Sequence, residues 1–163
     1  MKPRFPWKIL TIIAALAVLA HSAGLKAPFI YDDQPTIIDN IHIRELDRFQ
    51  EKVGLENFIN RSVTLLSYSI NLALGDLEVF GYHLLNLILH VLSSICFFFV
   101  VGELLKLEPE KKRRRWGNLP KWAGLLFSVH PLGTQTVSYL SNRSSLLATF
   151  FSILTFYVFL RFL

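Results

Sequence analysis

The chain has a single cysteine, Cys96. That excludes an internal disulfide and leaves the redox compartment unreadable. No period of about 20–50 residues recurs, so these residues contain no solenoid repeat. Acidic residues are few, 12 against 17 Lys and Arg, and the basic excess is local. Lys2, Arg4 and Lys8 stand at the start, and Lys111, Lys112, Arg113, Arg114 and Arg115 form one run. The amphipathic striping of a soluble domain is missing over most of the chain. The 52% of hydrophobic residues, 14 Phe among them, are gathered into blocks long enough to cross a bilayer, which takes about 20 apolar residues.

The blocks predict an all-α membrane protein of about four transmembrane helices, at about 7–25, 82–105, 122–140 and 144–163. The first is short, and its basic start and the small residues Ala20-His21-Ser22-Ala23 also fit a cleaved signal peptide. Either reading sends the loop 26–81 outside. The run 111–115 follows the second block directly and marks the cytoplasmic side. It is read as a topology signal and not as a nuclear-localisation or nucleic-acid patch, so no nucleic-acid partner is expected. Pro131 lacks an amide donor and disfavours helix at His130, so the third block should kink or break there. In the outer loop, Val63, Leu66, Ile70, Ala73, Leu74 and Leu77 recur at helical spacing opposite Thr64, Ser67, Tyr68 and Asn71. This predicts an amphipathic helix on the membrane surface. The last residues, Phe162-Leu163, fall at the end of a span, and the chain is expected to be a fragment.

Polar residues inside spans must face protein or water. His83, Asn86, His90 and Ser93 fall on one helical stripe, which should face the bundle. The stripe either lines a substrate path or makes interhelical hydrogen bonds. His130, Thr134, Gln135 and Thr136 surround the break, whose freed backbone groups need partners. Arg143 is either a snorkelling anchor or a cation for a phosphate. Asp32 and Asp33 follow the first span. Adjacent carboxylates can split duties, one accepting a proton from an attacking hydroxyl, or can hold a divalent cation. A solvated loop turn is the bland alternative. Asn60-Arg61-Ser62 and Asn142-Arg143-Ser144 match the glycosylation pattern, yet neither is expected to be modified, since Asn142 lies too near the membrane.

The order of these pieces is more specific than any one of them. Phe29-Ile30-Tyr31-Asp32-Asp33 is followed by Arg61-Ser62-Val63-Thr64. Gly81-Tyr82-His83 leads through Asn86 to His90, and Leu126-Phe127-Ser128-Val129-His130-Pro131 leads through Thr134-Gln135 to Arg143. Over nearly its whole length the chain resembles the N-terminal membrane region of the transmembrane and tetratricopeptide-repeat O-mannosyltransferase family, of the GT-C glycosyltransferase class. It departs in having Arg61-Ser62-Val63-Thr64 where the family usually shows Arg-Pro-Leu-Thr. Gln135 stands where many eukaryotic members have Glu, which leans bacterial. The resemblance implies a partial GT-C fold, with further spans and repeats beyond these residues. It also implies a transferase that takes a sugar, expected to be mannose, from a polyprenyl-phosphate donor to a protein or glycan hydroxyl. Asp32 and Asp33 match the family's acidic pair and would be catalytic, with a divalent cation, Mg or Mn, as an optional partner of both. Arg61, His83, His130, Gln135 and Arg143 would bind substrate. The expected site is the inner membrane of a bacterium, or the endoplasmic reticulum in a eukaryote, with the N-terminus cytoplasmic. The rivals are a non-catalytic membrane anchor for a repeat scaffold and a transporter. An acidic pair away from the bilayer midplane argues against transport.

Overall fold

The structure, a computed structural model, describes residues 5–44 and 49–163, with the backbone alone at residue 42 and residues 49–60. Seven α-helices follow one another among the described residues: α1 (Trp7–His21), α2 (Phe49–Gly75), α3 (Val79–Lys106), α4 (Glu110–Arg115), α5 (Leu119–Val129), α6 (Leu132–Ser138) and α7 (Arg143–Arg161). Among the described residues there is no strand. Three stretches among the described residues are long and apolar enough to cross a membrane: Trp7–Lys26, Val79–Lys106 and Leu140–Arg161. The protein is thus an all-α membrane protein.

The block expected at 122–140 is the exception. The chain leaves the helix at His130 (φ −64°, ψ 130°), just before Pro131, and the span becomes two pieces of 11 and 7 residues. Neither alone reaches the length of a crossing helix. The physical cause is the one the sequence carries, a proline that crowds the preceding residue out of helical geometry.

α3 is the axis of the bundle, and α1, α5 and α7 pack on it. Its 28 residues make a rod of about 42 Å at 1.5 Å per residue, longer than the ~30 Å hydrocarbon layer. Gly124 lets α5 approach closely: a Cβ there would lie 2.7 Å from Ile13 Cδ1 and 3.0 Å from Phe98 Cβ. Small residues at such crossings are how membrane helices pack without a hydrophobic driving force between them.

α3 also repairs the broken helix. Its stripe His83, Asn86, His90 and Ser93 is buried throughout. Asn86 Nδ2 donates to the carbonyls of Thr136 (3.4 Å) and Val137 (3.3 Å), and His90 Nε2 to that of Ser128 (3.2 Å). These are carbonyls in the last turns of α5 and α6, which the ends of those short helices leave without helical partners. Asn86 and His90 therefore make interhelical hydrogen bonds, whereas Ser93 Oγ donates to the Leu89 carbonyl within α3.

α2 covers one end of the bundle. Thr64, Leu65, Tyr68 and Ser69 turn inward and are buried, whereas Val63, Leu66, Ile70 and Leu74 face out, Leu74 being 82% exposed. Leu65 and Tyr68 join Ile37, Ile43, Tyr82 and Leu140 in a small core under the loop. An apolar stripe left on the outside suits lipid, not water. The expected amphipathic helix is present, and it begins well before Val63.

Candidate functional site

The acidic pair opens a short turn. Tyr31 takes a left-handed conformation (φ 46°), at a cost of order 1 kcal/mol. Directly after it the two carboxylates part company. Asp33 is 1% exposed. Its Oδ2 accepts the Ile30 amide (3.0 Å) and its Oδ1 accepts the Ser141 amide (2.7 Å). Asp33 thereby fastens the first loop to the connector between α6 and α7. Asp32 is exposed, and its Oδ2 accepts the Tyr139 hydroxyl (2.7 Å). Among the described residues its Oδ1 has no hydrogen-bond partner, so Asp32 is the member of the pair with a free oxygen.

Beside the same connector lies a cavity of about 180 Å³, lined by Arg61, Thr64 and Tyr68 of α2, by Ser141 of the connector and by Ser144 at the start of α7. Arg61 is exposed and brings a guanidinium to the wall. The Ser141 hydroxyl is buried and has no hydrogen-bond partner among the described residues. Burial pushes the Tyr68 phenol up to about 12, so it stays protonated and donates to the Leu140 carbonyl (2.7 Å).

Arg143 lies behind this wall, 0% exposed. Its Nε donates to Asn86 Oδ1 (2.8 Å). Its Nη1 donates to Asn71 Oδ1 (2.8 Å) and Ser67 Oγ (3.1 Å), and its Nη2 to the Tyr82 carbonyl (3.0 Å). The guanidinium carbon sits 4.4 Å from the Tyr68 ring centre and 5.7 Å from that of Tyr82. A desolvated cation persists only when its donors are filled, and here neutral acceptors and two aromatic faces fill them. The side chain is neither at the surface nor open to a phosphate. It locks α2, α3 and α7 together.

The remaining expected residues lie apart. His83 is buried and its Nε2 bonds the Ala27 carbonyl (3.0 Å). His130 is exposed, its Nδ1 accepting the Leu132 amide (3.3 Å). It borders a second, apolar cleft of about 520 Å³ with His90, Phe127 and Gly133. Gln135 is exposed on α6, one turn before Tyr139. The structure thus gathers Asp32, Asp33 and Arg61 about one connector, sets Arg143 behind it, and leaves His83, His130 and Gln135 outside.

Tyr139, Ser141, Ser67 and Asn71 support the site; the sequence placed Ser67 and Asn71 on the polar face of α2 but assigned none of the four a role. The i, i+4 pair Ser67 and Asn71 on the polar face of α2 was the one available signal.

Among the described residues no three His, Cys, Asp or Glu side chains converge as a metal would need. Asp33 has both oxygens engaged by backbone amides, leaving one free carboxylate oxygen, on Asp32. Hard cations take six or more oxygens, so these residues do not form a self-contained cation site.

Fold and site define an all-α membrane protein with an exposed carboxylate and a basic, hydroxyl-lined cavity at one end of its bundle. The family resemblance drawn from the motifs is borne out: over most of its length the chain is similar to protein O-mannosyl-transferases, TMTC proteins among them. It is 26% identical over 155 residues to protein O-mannosyl-transferase F38B6.6 of Caenorhabditis elegans, covering 88% of this chain and 22% of that protein. With protein O-mannosyl-transferase TMTC3 of Homo sapiens it shares 27% over 165 residues, 94% of this chain and 17% of the relative. With Tmtc1 of Drosophila melanogaster it shares 29% over 144 residues, 82% and 16% respectively. The chain therefore spans about a fifth of the length of these relatives. No family model and no solved structure matches it.

Proposed function

We propose that the chain forms a membrane portion of an inverting glycosyltransferase. The enzyme would move a sugar, mannose by the names of the relatives, from a polyprenyl-phosphate carrier to a hydroxyl of a protein or glycan. The observation that carries this reading is the divided acidic pair: Asp33 is spent on a tie to Ser141, which also lines the cavity walled by Arg61, and Asp32 is left exposed.

In the reaction, Asp32 Oδ1 takes the proton of the acceptor hydroxyl, whose oxygen attacks the anomeric carbon. The bond from that carbon to the phosphate oxygen breaks, and the electron pair leaves with the phosphate. Arg61 and the hydroxyls of Thr64 and Ser144 oppose the charge that grows there, in a pocket arranged before the reaction starts. Attack opposite the departing group inverts the sugar. Tyr139 holds Asp32 Oδ2 and so aims the free oxygen. Arg143 acts through Tyr68 and α2, holding the cavity wall in place. The outward apolar stripe of α2 lies in lipid, where the carrier's isoprenoid chain resides. A divalent cation travelling with the donor phosphate would meet Asp32 Oδ1, and no step depends on it. The basic runs favour a cytoplasmic N-terminus, and Gln135 favours a bacterial inner membrane.

The test is release of labelled mannose from a polyprenyl-phosphate donor by the complete protein in detergent. Asp32→Asn should lower transfer about 10²–10⁴-fold, as loss of a general base does, with the fold intact. Transfer at the wild-type rate would sink the reading and put the membrane-anchored scaffold first.

A further inference from the structure

We propose that the end of the bundle opposite the acidic pair is a docking site for the head groups of anionic phospholipids. Three observations on the loop between α3 and α5 lead there, and none of them concerns sugar transfer.

The first is a charge left over after pairing. Lys112 Nζ lies 3.1 Å from Glu108 Oε2, and Arg114 Nη2 lies 2.6 Å from Glu110 Oε1. These two pairs consume both acids of the loop. Lys111, Arg113 and Arg115 have no acidic partner among the described residues, and all three are exposed. The second is their placement. α4 puts Lys111 and Arg115 at i and i+4, on one face, where like charges repel unless an anion stands between them. The third is the company they keep. Leu107, Trp116, Leu119 and Trp122 are all exposed at 42% or more, and the Arg115 guanidinium lies 5.7 Å from the Trp116 ring centre.

Cations retained only to fix topology require no aromatic neighbours. A surface that mixes unpaired cations with exposed tryptophans, held at membrane level by a long apolar helix on one side and the broken pair α5–α6 on the other, matches a ligand with two halves. A phosphodiester meets Lys111, Arg113 and Arg115, and the attached acyl region meets Trp116 and Trp122. Inorganic phosphate offers only the first half. A nucleic acid offers charge without a partner for Leu107 and Leu119.

The complete protein in bilayers of phosphatidylcholine with phosphatidylglycerol supplies the assay. The readouts are the ratio of the two lipids carried off with the protein on detergent extraction and the number of phosphatidylglycerol molecules bound by native mass spectrometry. The wild type should be enriched in phosphatidylglycerol. Each basic residue near an anionic surface is worth about fivefold in binding, so the triple variant Lys111→Gln/Arg113→Gln/Arg115→Gln should lose preference on the order of 100-fold. The paired cations give an internal comparison: Lys112→Gln/Arg114→Gln should lose less than about tenfold. Trp116→Ala/Trp122→Ala should release lipid while the basic residues remain. Unchanged helicity by circular dichroism separates each loss from misfolding. Equal lipid ratios for wild type and triple variant would overturn the proposal. So would displacement of phosphatidylglycerol by equimolar inorganic phosphate, or retention of an RNA homopolymer in preference to the lipid.

Discussion

The two ends of this bundle handle charge in opposite ways. Near the first loop, Arg143 and Asp33 are buried, and protein groups meet both charges. Near α4, Lys111, Arg113 and Arg115 are left in the open. A buried ion requires partners fixed in advance and so defines geometry, whereas an exposed one has its partner still to meet. Asp32 belongs by position to the first end and by exposure to the second, which is why the chemistry is assigned to it.

Substitutions break or sharpen this contrast, and they rank by their effect on stability. Arg143→Met comes first. It strands Asn86, Asn71 and the Tyr82 carbonyl, and removal of one member of a buried charged network costs about 3–5 kcal/mol. Thermal unfolding in detergent should show the loss. Arg143→Lys should rescue little, because an ammonium cannot span the same four acceptors. Asp33→Asn follows. Its two contacts are hydrogen bonds to a carboxylate, each worth about 1.5–3 kcal/mol, and Asn must turn an NH₂ towards one of the amides. Lowered stability together with lowered transfer is expected, the second following from the first.

Tyr139→Phe removes one hydrogen bond to Asp32, about 1 kcal/mol at most. In the complete protein it should slow transfer more than it weakens donor binding. Least disturbed is Asp32→Asn, an exposed near-isostere that should stay within about 0.5 kcal/mol of wild type while transfer collapses. If Asp32→Asn and Asp33→Asn unfold at the same temperature, the division of labour between them is wrong.

Much of the architecture was legible because it depends on local rules. Pro131 announced the break at His130, the stripe from His83 to Ser93 announced a buried face, and the spacing from Val63 to Leu74 announced an outward apolar surface. What could not be read were the partners of ions. Asp33 meets Ser141 across 108 residues, and Arg143 meets Ser67 across 76. No periodicity encodes contacts of that span. For the same reason Arg143 looked equally suited to lipid phosphate or to the interface, and only the assembled helices show that its donors are already occupied. Asp32 and Asp33 are identical in type and adjacent in sequence, so a single left-handed residue, Tyr31, and the turn around it introduce a distinction that composition lacks.

The tie between Asp33 and Ser141 also sets a timetable for synthesis. When Asp33 emerges from the ribosome its partner has not been made, and 108 residues take about 5–20 s at ~5–20 residues per second. For that interval the first loop holds a carboxylate without its amide, and α2 waits for the guanidinium that will close over it. Insertion of α7 therefore completes the acidic end in one late step, and a ribosome paused before Ser141 would hold a chain whose early helices are inserted but whose site has not formed.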